Sequence, residues 1–307
     1  MTGHAGRMKA EAETSADILC IGSVLWDVIG RVPERMHLGA DMPGRIRRLP
    51  GGVALNIAMT LSRFGLTPAL LSAVGRDAEG DELLAACARR GILTGHVHRP
   101  ADLPTDIYMA VEGANGLIAA VADAHSLEAA GERILAPLED GRLGSASAPY
   151  RGRIALDGNL TRALLADIAG RPSFAAADLR VAPASPGKAT RLAPLLAHPG
   201  ATLYVNCEEA GLLTDSRPGT AAEAAEALLA AGARRVLVTD GAHGAAEGSA
   251  RGIAFAPAPP VEARRITGAG DTFMAAHIAA EATGATPAQA LERALETASR
   301  YVAGLDP

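Results

Sequence analysis

The chain has 307 residues, 49% of them hydrophobic but only 3% aromatic, and a formal net charge of −5. That is enough for one large α/β domain with a small appendage, its core built from Ala, Leu, Val and Ile. It excludes the concentrated basic face that nucleic-acid binding needs. No apolar run approaches the ~18 residues of a membrane span.

Residues 1–16, MTGHAGRMKAEAETSA, are polar and lack an apolar stretch. They read as a disordered tail, not as a secretory signal. Cys20, Cys87 and Cys207 are far apart and odd in number, without metal spacing or a disulfide framework. A reducing cytoplasm fits them.

The predicted elements begin with a buried strand at 17–23 (DILCIGS), with Asp27 near its end. Gly51-Gly52 opens a helix, VALNIAMTLSRFG, closed by Gly65. A second buried strand spans 69–74 and a helix 79–90. This alternation predicts a mostly parallel sheet covered on both sides.

Two stretches break the rhythm: 28–50, basic and rich in turn residues, and 98–122, which contains a hairpin around Ala-Asn-Gly. They predict a small β lid over one end of the sheet. Strands then follow at 152–156, 177–182, 202–205 and 235–239. Helices follow at 161–169, 189–196, 208–213 and 221–231. A two-strand excursion at 244–247 and 252–256 precedes helices at 270–282 and 287–302. One domain, 17–307, with its lid is the economical reading.

Thr267-Gly268-Ala269-Gly270-Asp271 stands at the mouth of the first of these last two helices. A helix starts with unpaired N–H groups and the positive end of its dipole. Glycines let a ligand approach them without Cβ clashes. The product is an anion site suited to phosphoryl transfer, and Asp271 beside it could take a proton from an attacking hydroxyl. Three other stretches follow strand ends or open helices. Gly51-Gly52 with Asn56 sets an amide at a helix start. Asn206 and Glu209 offer oxygen ligands to hydrated Mg²⁺. Thr239-Asp-Gly241-Ala-His-Gly244 lets a nucleotide pack on backbone. Taken singly, each also fits a plain role as helix entry, cap or hairpin turn. Together they sit where open α/β sheets bind ligands, beyond the carboxyl ends of the strands.

These residues resemble the ribokinase-like family of sugar and nucleoside kinases, also called the phosphofructokinase-B family, from about residue 17 to 304. Its two signatures are Gly51-Gly52-Val-Ala-Leu-Asn56 and Thr267-Gly-Ala-Gly-Asp271-Thr-Phe. The stretch PGRIRRLPGGVALNIAMTLSRFGLTPALLSAVGRD is most similar to the branch of bacterial pseudouridine kinases, as are Asp157-Gly-Asn159 and Ser185-Pro-Gly-Lys188.

The resemblance implies a three-layer sandwich with a mostly parallel central sheet and a β lid. It implies transfer of the γ-phosphoryl group of ATP to the 5′-hydroxyl of pseudouridine, with Mg²⁺ and room for a monovalent cation such as K⁺. By position Asp271 is the base, and the amides of Ala269, Gly270 and Asp271, behind Gly268, are the anion hole. Asp27, Gly52 and Asn56 hold ribose hydroxyls. Thr105 and Asp123, on the lid strands, face the base, and Asn159 joins the substrate group. Lys188, Thr239, Gly241 and Gly244 line the ATP site with Asn206, while Asn206 and Glu209 hold Mg²⁺ through water. Exposed lid edges predict a homodimer.

Two residues depart from the family pattern: Ala182, where relatives carry Asp, and Ala276, where a glycine is common. Another sugar or nucleoside kinase (adenosine, inosine, ribose or fructose) and a non-catalytic nucleoside-binding relative stay open. A dinucleotide oxidoreductase does not, because GSVLWD follows the first strand where G-x-G-x-x-G would be required.

Overall fold

The computed structural model describes residues 16–305. All but the last residue of the predicted tail lies outside them.

Two sheets organise the chain. The larger has eight strands in the order β12-β11-β10-β9-β8-β7-β1-β4. Its parallel part comprises β1 (Ile18–Ile21), β4 (Pro68–Leu71), β7 (Arg153–Asp157), β8 (Asp178–Ala182), β9 (Ala201–Asn206) and β10 (Arg235–Thr239). β11 (Ala245–Ser249) and β12 (Gly252–Ala256) add an antiparallel edge. The predicted two-strand excursion therefore widens the main sheet, because β11 takes up the free edge of β10. The smaller sheet, ordered β3-β2-β5-β6, is the lid. It comprises β2 (Leu25–Arg31), β3 (Arg45–Gly51), β5 (Ile107–Gly113) and β6 (Gly116–Asp123).

The helices are α1 (Val53–Arg63), α2 (Ala78–Ala88), α3 (Ser126–Ala130), α4 (Arg162–Gly170), α5 (Cys207–Thr214), α6 (Ala221–Ala230), α7 (Ala269–Ala282) and α8 (Pro287–Val302). Their starts follow capping chemistry. Asp77, Thr161 and Thr220 each accept a hydrogen bond from the third helical N–H, and Thr286 forms a capping box with Gln289 just before Pro287.

β1 is wholly buried, and its side chains alternate between two cores. Leu19 and Ile21 pack with Leu164, Ile168 and Leu228 on one side. Ile18 and Cys20 pack with Ile57, Leu61, Phe273 and Ile278 on the other. Helices thus cover both faces, as parallel strands demand, and the architecture is the ribokinase-like three-layer sandwich. α7 is buried from Thr272 to Ala280. Ala276 is one of the residues packed into its core, where its methyl fills the interior.

Three placements differ from the sequence reading. β1 stops at Ile21, and the chain turns at Gly22, Ser23 and Val24 into the lid strand β2. Asp27 therefore lies on the lid, not at the end of β1. Of the 98–122 stretch, the lid takes only the part from Ile107 onward. The helix expected at 189–196 is instead a 3₁₀ helix, Pro186–Leu195, with Pro194 inside it. A proline lacks the N–H that an α-helical ladder needs there.

A buried polar network ties α7 to the sheet. Arg180 on β8 donates to the Tyr204 hydroxyl (3.0 Å) and pairs with Glu281 on α7. The Tyr204 hydroxyl also shares a hydrogen bond with His277 Nδ1 (2.9 Å). His277 Nε2 faces Glu247 Oε2 at 4.0 Å. Burial holds the imidazole neutral, its pKa lowered to about 3.

Candidate active site

The residues singled out from sequence gather where the parallel strands end. Asp157, Ala182, Asn206 and Thr239 are the last residues of β7, β8, β9 and β10, and the registers pair Asp157 with Ala182 and Asn206 with Thr239. α1 and α7 both begin near this edge, and they touch through their first turns: Asn56 Nδ2 donates to Asp271 Oδ2 at 2.9 Å.

Gly268 caps α7 in the left-handed region (φ 86°). A Cβ there would stand 2.6 Å from the Tyr301 hydroxyl, which donates to Thr267 O at 2.8 Å. A Cβ on Gly270 would meet nothing within 4 Å, so the helix mouth is open on that side. The Gly270 and Asp271 N–H groups meet no protein acceptor among the described residues, whereas Ala269 N–H donates to Ile266 O at 3.0 Å. The expected three-amide anion hole is thus reduced to two free amides in this state, because Ala269 closes the turn that presents the other two.

Burial raises the Asp271 pKa to about 7. Negative charge on Asp157, Glu209 and Asp27 adds to the effect, and the Asn56 amide opposes it. A carboxyl poised near neutrality at a helix N-terminus is equipped to exchange a proton.

Asp27 is half-buried on β2, and no described side chain or backbone group donates to it; burial lifts its pKa to about 6. Gly51, beside it, leaves the room it occupies: a Cβ there would lie 2.0 Å from Asp27 Oδ2. Gly52 (φ 95°) turns the chain so closely over β1 that its own Cβ would meet Ser23 O at 2.5 Å.

Asp157 is fully buried and accepts four hydrogen bonds. These come from Ser23 N (2.7 Å), Ser23 Oγ (3.0 Å), Ala54 N (3.0 Å) and Asn159 N (2.7 Å). Ser23 Oγ in turn accepts from Val53 N (2.8 Å) and from Asn159 Nδ2 (2.9 Å). Lys188 Nζ donates to the remaining amide oxygen of Asn159. Lys188 sits just past Ala184, a non-glycine residue at φ 70°.

Asn206 and Glu209 form a capping box on α5: Glu209 N donates to Asn206 Oδ1 (2.8 Å) and Asn206 N to Glu209 Oε2 (2.9 Å). The plain capping role is therefore real, and it leaves Glu209 Oε1 as a spare hard donor. No cluster of three or more acidic, His or Cys groups able to cage a metal occurs among the described residues. This donor set fits a hydrated Mg²⁺ held through its waters and not a dehydrated cage. Gly241 (φ 52°) follows β10 with open space around it. Gly244 (φ 122°) is required by close approach to Ala256 O, 2.2 Å from where its Cβ would be.

Two lid residues fall elsewhere than expected. Thr105 precedes β5 and is 5% exposed; its N–H and hydroxyl both donate to Asp77, the cap of α2. Asp77 accepts both bonds, so the Thr105 hydroxyl proton is spent inside the fold. Asp123 ends β6 on an exposed position, paired with Ile107. Sequence reasoning gave no role to Ser23, Asp157 or Tyr301. An acidic residue at a strand end flags Asp157; nothing local flags the other two.

A family model described as pfkB family carbohydrate kinase matches residues 15–303. The chain is 40% identical over 75 residues to a pseudouridine kinase of Escherichia coli (strain K12), covering 24% of each. It is 32% identical over 102 residues to a pseudouridine kinase of Arabidopsis thaliana, covering 33% of this chain and 26% of that one. These matches span about a quarter of each relative's length. The solved structure of Arabidopsis thaliana ribokinase complexed with ribose and ATP superposes with a TM-score of 0.76 at 20% identity, over 94% of this chain and 92% of that one. With the family matched over nearly its whole length and the same fold around the glycine-led helix, the chain belongs to the pfkB family of carbohydrate kinases.

Proposed function

We propose that the chain transfers the γ-phosphoryl group of ATP to the 5′-hydroxyl of pseudouridine, giving pseudouridine 5′-phosphate and ADP. The observation behind the chemistry is Asp271 beside two unbonded N–H groups at the open mouth of α7. The substrate rests on the stretches shared with the two pseudouridine kinases. The ribose and ATP named for the ribokinase structure agree in kind.

In this reading Asp271 takes the proton of the attacking hydroxyl as its oxygen bonds to the γ-phosphorus. The bond from phosphorus to the β–γ bridging oxygen breaks, and ADP leaves with that electron pair. Gly270 and Asp271 N–H face the charge that shifts onto the transferred group. Lys188 neutralises phosphate charge, while Thr239, Gly241 and Gly244 shape the nucleotide side. Asn206 and Glu209 would hold Mg²⁺ by its waters; the ion would supply charge neutralisation at the phosphates. Asp27 accepts from vicinal ribose hydroxyls, with Gly52 and Asn159 near them.

A coupled ADP-release assay across pseudouridine, uridine, adenosine, ribose and fructose tests the substrate. Highest kcat/KM on pseudouridine is the expected result; turnover of a sugar with none on pseudouridine overturns it.

Acceptor binding is also expected to depend on pH through Asp27. Its pKa is raised to about 6, so the accepting carboxylate is complete above that pH and lost below it. Calorimetric titration should show affinity constant from pH 7 to 8 and falling below pH 6, and Asp27→Asn should remove that dependence. Affinity independent of pH in the unsubstituted enzyme would exclude the role.

The lid also supports a homodimer. Side chains alternate along each strand, so Ile46, Met109 and Val121 lie on the face opposite Asp27. They are 79%, 47% and 58% exposed, and Met109 pairs directly with Val121. Such an apolar face is suited to a second copy. Light scattering should give twice the chain mass, reverting to monomer in Val121→Glu. A monomeric unsubstituted enzyme at working concentration rules the dimer out. No helix of the described residues is long and apolar enough to cross a membrane.

A further inference from the structure

A carboxylate removed wholly from water is costly unless hydrogen bonds replace its hydration. Asp157 meets that requirement with four donors, and they come from three different places. Ser23 follows β1, Ala54 lies in the first turn of α1, and Asn159 follows β7. Few arrangements of those three segments satisfy one carboxylate. The ends of two strands and the start of a helix are therefore held in a single geometry.

The neighbourhood is shaped around this group. Gly22 must lack a side chain, because its Cβ would stand 2.2 Å from Asp157 Oδ2. Gly52 lets α1 begin directly above Ser23. Ser23 Oγ extends the carboxylate's grip to a second α1 amide, that of Val53. What α1 presents from this anchored turn is Asn56, whose amide meets Asp271 at 2.9 Å. The path from Asp157 to the reacting carboxyl thus runs through one rigid helical turn.

We propose that Asp157 is a positioning residue for phosphoryl transfer: its buried carboxylate fixes the first turn of α1 against the end of β1 and so aims the Asn56 amide at Asp271. This rests on the kinase reading above. In that reading a misplacement of about 1 Å in the groups around the reacting atoms costs on the order of 10²-fold in rate. Asp157 is fully buried, so in that reading the effect falls on turnover and not on binding.

Two variants separate positioning from plain support. Ser23→Ala keeps the carboxylate, with the Ser23, Ala54 and Asn159 N–H groups still on it, but loses the Ser23 hydroxyl donor and releases Val53 N–H and Asn159 Nδ2. Asp157→Asn removes the charge and turns an NH₂ group toward donors. Both should lower kcat by roughly 10- to 100-fold, with KM for ATP and for acceptor changed less than about threefold.

The pH profile adds a second readout. The groups facing Asp271 are the Asn56 amide and the charges of Asp27, Asp157 and Glu209, with the Tyr301 hydroxyl nearby. Deleting one negative charge should move the acid limb of kcat to lower pH in Asp157→Asn and leave it in place in Ser23→Ala. Thermal unfolding identifies which variants are folded at the assay temperature; should Asp157→Asn not fold, Ser23→Ala decides alone on kcat. Folded variants with unchanged kcat, or with raised KM at unchanged kcat, overturn the proposal. An unsubstituted enzyme that phosphorylates no acceptor would instead refute the kinase reading.

Discussion

Replacing Asp271 with Asn is expected to lower turnover by roughly 10²-fold or more, the scale of a lost general base, while ATP binding is nearly unchanged. The amide has almost the same shape, so the hydrogen bond from Asn56 and the free N–H groups of α7 have no steric reason to move. Only the capacity to take a proton is lost.

The pH profile makes the assignment sharper. Burial and three neighbouring carboxylates hold the Asp271 pKa at about 7, so the base is ionised above that pH and protonated below it. In the unsubstituted enzyme kcat should therefore fall about tenfold per pH unit well below pH 7, and Asp271→Asn should flatten that limb. Wild-type turnover in the variant, or an acid limb that survives the substitution, would remove Asp271 from the role of base. The same substitution deletes a desolvated charge. A variant that melts at higher temperature above pH 7 is the expected companion result, a trade of stability for activity.

Gly52→Ala should be the most damaging single methyl at the start of α1. Two costs coincide there. The backbone sits at φ 95°, outside the range that L side chains favour, and the new Cβ would stand 2.5 Å from Ser23 O and 2.7 Å from Ser23 C. The positive-φ conformation alone costs about 1–3 kcal/mol. The clash adds to it, because the atoms met are main chain and cannot rotate away. Ser23 is also bonded to Asp157 and Val53, so its displacement spreads to both. A shift of the urea midpoint equivalent to about 2 kcal/mol or more, with the m-value unchanged, is the expected measurement. A midpoint equal to that of the unsubstituted protein would show that the turn has slack the structure does not display.

Much of this molecule is legible in one dimension because its signals are local. Buried strands such as β1 and β4 are continuous apolar runs. α1 and α8 announce themselves by Gly52 and by Thr286-Pro287, since capping and turn chemistry involve neighbours in sequence. The helix mouth at Gly268–Asp271 is likewise a local object, and its dipole and free amides come from the peptide itself.

What escapes such a reading depends on distance. Asp27 lies on the lid because three residues after Ile21 redirect the chain, a choice made by close contact between Gly22 and Asp157, 135 positions apart in the numbering. Thr105 has the right residue type for a ligand group, yet Asp77 consumes its hydroxyl. The 3₁₀ turn that carries Lys188 follows from Pro186 and Pro194 overriding an apolar spacing that suits a helix.

By itself, then, the amino-acid order determined the layered α/β plan, the lid and the glycine-led helix mouth with its acid, since each is written in residues a few places apart. Only the folded chain decided which carboxylates crowd Asp271 and how high its pKa rises, that Asp157 binds three segments together, and that one of three expected amides is already engaged. Desolvation, charge–charge repulsion and hydrogen-bond competition depend on what lies within a few ångströms, and for these groups the neighbours come from far along the chain.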